Sequence, residues 1–165
     1  SKIFKIKEKS FINAMKSFKG LSHRFEIFLR KKNITFINDS KATSFKATQP
    51  ALSSLKNIYW IVGGLPKKND KIKVLKYKNN IIKSYLIGKN TNFFKKQIQK
   101  RIAFSVTKNL ANSIIQIFKD IKLRKSYKNF VLLSPSAASF DQFKNFEERG
   151  NEFKRLCNIY VRKYF

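Results

Sequence analysis

Three polar segments of this chain each follow a hydrophobic run, and together they hold most of the side chains able to do chemistry. Asn38-Asp39-Ser40-Lys41-Ala42-Thr43 follows Ile34, Phe36 and Ile37; Gly63-Gly64-Leu65-Pro66-Lys67 follows the apolar run 58–62; the segment 134–146 follows the apolar run 130–133. A fourth segment, Ser22-His23-Arg24-Phe25-Glu26, stands ahead of them. If the runs are parallel strands, the three segments lie at strand carboxyl ends, where open α/β sheets place their ligands. The rim so formed would hold Asp39, Lys41, Thr43, Lys67, Ser136, Ser139 and the backbone N–H groups near Phe146, with Arg24 entering from the start of the chain. Donors and cations dominate that set. It suits a small dicarboxylate or a phosphate-bearing partner, because each anionic group can take one ammonium and one or two neutral donors. A plainer arrangement uses the same residues for structure alone: Asp39 pairs with Arg24, Ser139 caps a helix, and the segments are polar loops.

Several chemistries are excluded. The sequence has neither G-x-x-x-x-G-K-[ST] nor G-x-G-x-x-G, so its 165 residues carry no phosphate cradle of their own. His23 is the sole histidine, which leaves no His-based metal site, and no nucleophile stands near it for a triad. The single cysteine, Cys157, rules out an internal disulfide and matches a reducing compartment; its place in a helical pattern makes it a core residue. No run of 18 apolar residues occurs, and the Lys-rich stretch 1–10 lacks the apolar centre of a signal peptide. A cytoplasmic protein without a membrane partner is expected.

The formal charge is +28, from 37 basic and 9 acidic residues. Such a balance suggests phosphate binding when the cations cluster. Here Lys outnumbers Arg by 30 to 7 and is scattered along the whole chain, which reads as a solvated surface; Lys is also the weaker choice for bidentate recognition. No specific nucleic-acid partner is expected. The competing reading is a free-standing basic α/β module that binds nucleic acid or other polyanions.

The elements that must position the rim follow from periodicity. Ser10 precedes Phe11, Ile12, Met15 and Phe18, whose spacing predicts an amphipathic helix capped by Ser10 and closed by Gly20. Residues 25–29 and 35–38, around a turn at 31–33, predict a hairpin. A helix over 49–55 is predicted with Thr48 as N-cap and Pro50 in its first turn. The continuous apolar run at 58–62, ending in Gly63-Gly64, predicts a strand buried on both faces of a parallel sheet, and the mainly apolar runs at 81–87, 102–106 and 130–133 repeat that signature. Helices are predicted over 93–100 with Asn92 as N-cap, over 110–121, and over 147–164. Strands alternating with helices at this spacing predict an α/β, doubly wound, mostly parallel sheet. The apolar fraction of 42% with 17 Phe supplies core for one domain of this size.

With these segments in view, the sequence resembles the C-terminal, Rossmann-like domain of the Mur ligases, in the branch that adds D-glutamate. The resemblance rests on Asn38-Asp39-Ser40-Lys41-Ala42-Thr43, on His23-Arg24-Phe25-Glu26 and on Ser139-Phe140-Asp141-Gln142-Phe143-Lys144-Asn145-Phe146-Glu147-Glu148-Arg149-Gly150, which together span most of the chain. It implies a boundary near residues 20–23, with 1–21 the helical end of a central ATPase domain and 22–165 the C-terminal domain. It also implies an ATP-driven amide ligation through an acyl phosphate, with D-glutamate and a UDP-N-acetylmuramoyl-L-alanine precursor as partners in peptidoglycan synthesis. By motif position, Arg24, Asp39 and Lys41 would face the nucleotide, while Thr43, Lys67, Ser139 and Phe146 would hold D-glutamate. ATP and Mg2+ would be held mainly by the central domain, and no metal ligand is assigned here. The chain alone is then expected to be inactive, and a monomer is the default expectation. Two departures from the family pattern occur: Ala137 stands where a cysteine is common, and Leu65 where some members have an acid.

Overall fold

In the computed structural model, which describes residues 6–18, 20–124 and 128–164, the β-branched and aromatic runs become six strands. They are β1 (Glu26–Lys31), β2 (Ile34–Asn38), β3 (Ile58–Gly63), β4 (Ile81–Ile87), β5 (Phe104–Lys108) and β6 (Asn129–Leu133). Their spatial order is β1-β2-β6-β3-β4-β5; β1 pairs antiparallel with β2, and every other pairing is parallel. Chain order runs outward from β2 through β3 and β4 to β5, then returns to insert β6 between β2 and β3. The carboxyl ends of β2, β6 and β3 therefore lie side by side, where such sheets form their ligand crevice.

Helices α1 (Glu8–Ser17), α2 (Phe45–Ser54), α3 (Thr91–Ile98), α4 (Leu110–Leu123) and α5 (Phe146–Tyr164), with a 3-10 segment at Val74–Asn80, complete the fold. Successive strand residues point to opposite faces. On β3, Trp60 and Val62 join a core with α2, α3 and the 3-10 segment, while Tyr59 and Ile61 join a second core with α4 and α5. The centre of the sheet, β3, β6 and most of β4, is thus covered on both faces, as their apolar runs predict, whereas β5 is an edge strand with Val106 exposed, so it is not buried on both faces as predicted.

Several predicted boundaries move. Helix α2 begins at Phe45 with Ser44 as its N-cap, whose hydroxyl accepts from Ala47 N–H, so Thr48 is a helix-interior residue and Pro50 lies beyond the first turn. Thr48 is buried because its hydroxyl serves the crevice, as described below. Helix α3 occupies 91–98 with Asn90 at its N-cap position instead of Asn92. Both Arg101 and Ile102 N–H groups bond the Ile98 carbonyl, which holds 99–102 in the helix's closing turn and delays β5 to 104. Helix α1 starts at Glu8, two residues before the predicted cap Ser10. None of its residues is buried.

Candidate functional site

The Gly63-Gly64 pair brings β3 to the crevice. Both residues have backbone conformations open to glycine (φ 140° and 131°), and a Cβ would stand 2.0 Å from the Ile87 carbonyl oxygen at Gly63 and 2.3 Å from that of Ala138 at Gly64. Close approach lets Leu65 and Ala138 exchange backbone hydrogen bonds of 2.9 and 3.0 Å, which ties the 63–67 loop to the 134–146 segment. Trp60 Nε1 donates to the Ser134 carbonyl (2.8 Å), and Asp39 N–H donates to the Leu133 carbonyl (2.8 Å). All three predicted loops therefore converge.

A row of buried hydroxyls lies beneath them. Ser134 Oγ is 2.7 Å from Asp39 Oδ2 and 2.9 Å from Thr48 Oγ1, and Ser136 Oγ is 2.9 Å from Thr48 Oγ1. An ionised carboxylate only accepts, and Ser134 has one proton, so Ser134 donates to Asp39 and Thr48 must orient to suit. The other Asp39 oxygen accepts from Phe25 N–H (3.1 Å). Burial pushes the Asp39 carboxyl above its ordinary pKa, against the opposing pull of Ser134, the Phe25 N–H and the Arg24 charge. Asp39 thus faces inward and acts through what it holds.

Arg24 sits between two left-handed residues, His23 (φ 62°) and Phe25 (φ 46°). Such backbone is unfavourable for a side-chain-bearing residue and persists only when neighbours fix it. Here each N–H is held by a carboxylate: His23 N–H by Glu26 Oε2 at 3.0 Å and Phe25 N–H by Asp39. Burial alone would raise the Glu26 pKa, but the His23 N–H, Lys154 and Asn38 outweigh it and hold the carboxyl below its ordinary value. The exposed Arg24 side chain makes no salt bridge with Asp39 among the described residues, although its charge acts on that carboxyl from farther away.

Lys41 Nζ stands 3.7 Å from the Phe146 ring centroid, and His23 meets the same ring edge-on at 5.9 Å. A cation over an aromatic face is a favourable pairing. The Ser40 hydroxyl donates to the Phe146 carbonyl (2.8 Å), so the 39–43 loop grips the start of α5. Ser139 is buried, and its carbonyl receives Gln142 and Phe143 N–H groups. It caps no helix, since α5 starts at Phe146 and Asn145 Oδ1 receives Glu148 N–H. Thr43 is half-buried and Lys67 exposed on the neighbouring loop. No group of three or more His, Cys, Asp or Glu side chains gathers among the described residues to hold a metal ion.

One residue that the sequence reading passed over ties the crevice together. Arg149, on the first turns of α5, is 1% exposed. Its Nε donates to Ser40 Oγ (3.0 Å), and its Nη2 to the carbonyls of Ser40 (2.8 Å) and Ala137 (3.1 Å). Burial draws its pKa down to about 10, with Asp141 partly opposing. Its Nη1 has no hydrogen-bond partner and lies under Gly64. Nothing in the local pattern Glu-Glu-Arg-Gly distinguishes this arginine from a solvated one.

No protein-family model matches the chain. Individual relatives do. It is 39% identical over 155 residues to a UDP-N-acetylmuramoylalanine--D-glutamate ligase of Wolbachia sp. subsp. Brugia malayi, covering 94% of this chain and 31% of that protein. The identity is 42% over 146 residues to the ligase of the same name from Mesorhizobium japonicum, covering 88% of this chain and 31% of the relative. With that of Brucella abortus it is 43% over 141 residues, 85% of this chain and 30% of the relative. The chain spans about a third of the length of these relatives. It is a homologue of a C-terminal part of the UDP-N-acetylmuramoylalanine--D-glutamate ligases.

Proposed function

We propose that this chain is the D-glutamate-side domain of an ATP-dependent acid–amino-acid ligase, working in the peptidoglycan precursor pathway. The observation that carries the reading is the convergence of the three loops into one donor-rich crevice, in a chain homologous to ligases named for that amino acid. A dicarboxylate needs two anion positions held apart while its amine stays free to attack. Lys67 and Thr43 serve one carboxylate; the hydroxyl of the buried Ser139 and the N–H of Phe146 at the start of α5 serve the other, where the helix dipole also favours an anion. Arg24 and Lys41 face the nucleotide, with Asp39 setting the Arg24 backbone.

These residues complete an ATP site and do not make one. Phosphoryl transfer depends on a cradle of N–H groups and a metal clamp, and the 165 residues contain no such loop. The proposal accordingly places ATP, Mg2+ and the UDP-N-acetylmuramoyl-L-alanine precursor mainly on other domains of the working enzyme, in the cytoplasm. Residues 1–21 belong with such a domain: Phe11, Ile12 and Met15 of α1, with Phe18 just after it, are exposed and make an apolar surface suited to burial against it. Among the described residues no helix is long and apolar enough to cross a membrane.

Lys67→Ala in the ligase that carries this domain is the direct test. A hydrogen bond to a charged group contributes roughly 1.5–3 kcal/mol, so the Michaelis constant for D-glutamate should rise about ten- to a hundredfold while that for ATP stays nearly unchanged. An unchanged D-glutamate constant removes Lys67 from the site. Ligation by the purified 165-residue chain alone would overturn the division of labour.

A further inference from the structure

The crevice uses few of the 37 basic residues, and the rest are unevenly placed on the folded molecule. From Lys71 to Lys119 the sequence contains no Asp or Glu. That stretch builds the 3-10 segment, β4, α3, β5 and most of α4; of these the 3-10 segment and α3 lie with α2 on one face of the sheet, and α2 carries no acid either. Asp120, Glu147, Glu148 and Glu152 all sit on α4 and α5, on the other face. Where α2, the 3-10 segment and α3 meet there is a groove of about 750 Å³, lined by Lys71, Lys73, Lys76, Lys96 and Arg101 and by no carboxylate. All five cations are exposed, and none forms an ion pair among the described residues. Their neighbour in sequence, Asp70, is engaged elsewhere: its Oδ2 receives Phe45 N–H at 2.9 Å.

We propose that this groove binds a linear polyphosphate anion, an activity separate from the ligase reading. Five like charges around one concavity repel one another, and a chain of phosphates relieves that repulsion while releasing its own counterions. The concave shape suits a single chain in preference to a flat lipid surface. Four of the five cations are Lys, compact point charges on flexible stems, which match a freely turning phosphate chain better than a planar two-point acceptor. Single-stranded nucleic acid binding draws on exposed aromatic rings that stack the bases. Tyr77, the one aromatic residue in the lining, is buried with its ring against Phe45 at 6.4 Å, so it offers no such platform.

The test is calorimetric titration of the chain with medium-length sodium polyphosphate at fixed salt. Two triple variants of equal net charge are compared: Lys73→Glu, Lys96→Glu, Arg101→Glu in the groove, and Lys119→Glu, Arg162→Glu, Lys163→Glu on α4 and α5. The groove variant should lose at least about tenfold in affinity and the control no more than about threefold, because only contacted charges release counterions. Equal losses would mean attraction by net charge alone and would overturn the site. Tighter binding of a single-stranded oligonucleotide of matched charge, lost in the groove variant, would overturn the choice of ligand. Lysine acetylation footprinting of the unsubstituted chain covers a groove variant that fails to fold. Polyphosphate should protect Lys71, Lys73, Lys76 and Lys96 while leaving Lys119 and Lys163 reactive; uniform protection, or none, defeats the proposal.

Discussion

Arg149 concentrates in one side chain the support of two loops. Three hydrogen bonds leave its guanidinium, and truncation would strand the Ser40 and Ala137 carbonyls in a dry interior. Arg149→Ala should therefore cost on the order of 3 kcal/mol, a fall in melting temperature of about 6–12 °C for a domain of this size. Arg149→Lys should lose nearly as much, since one ammonium cannot reproduce bonds that leave Nε and Nη2 in a fixed plane. A lysine variant melting with the parent would show that charge, not the planar fork, is what the site needs. At this scale the sequence was partly legible. Asp39, Lys41 and Ser139 were visible as polar residues after apolar runs, but the inward turn of Asp39 was not, because it depends on Phe25 and Ser134, 14 positions before and 95 after it.

Among the elements, α5 is the one whose fit can be read from a single atom. A Cβ on Gly150 would lie 2.3 Å from His23 Nδ1 and 3.0 Å from the Asn38 side-chain amide, so the helix can approach β2 only through a glycine. Helix propensity alone predicts that Gly150→Ala stabilises by about 1 kcal/mol. Overpacking predicts the opposite sign, a loss of roughly 1–3 kcal/mol, and urea unfolding decides between them. Strands β3 and β6 were legible because unbroken apolar runs leave little choice of face, β4 because its mainly apolar run ends at Gly88, and α4 because of its apolar stripe. The start of α2 was not, because Thr48 and Ser44 are both acceptable caps by type. Tertiary context chose Ser44 by drawing the Thr48 hydroxyl into the row with Ser134 and Ser136.

For the molecule as a whole, pH sets two groups of carboxylates against each other. Glu26 is held below its ordinary pKa, as is Asp120, where burial is outweighed by bonds from Lys83, Tyr85 and Gln116. Their stabilisation is complete above the unfolded values and is lost as pH falls through the lowered folded ones. Asp39 has the reverse sign: its contribution is present below the ordinary aspartate pKa and is lost as pH rises through its raised value. Melting temperature should fall below about pH 4.5, where Glu26 begins to protonate in the unfolded chain. In Glu26→Gln that acid limb should be shallower. In Asp39→Asn it should be steeper, since the group that gains from protonation is gone. Parallel acid limbs in the parent and both variants would show that other groups govern acid unfolding.

The sheet order also dictates a sequence of events. Because β6 stands between β2 and β3, no backbone ladder joins the β1–β2 hairpin to the β3–β4–β5 half until residues 129–133 arrive. A ribosome that has released this chain only as far as residue 120 therefore presents two half-sheets, each with an open edge waiting for the same strand. Closure is non-local, so it should be the slow step of folding and the moment of greatest exposure to wrong partners. Nor can the candidate crevice mature ahead of the fold, for its 134–146 wall is delivered by the strand that joins the halves.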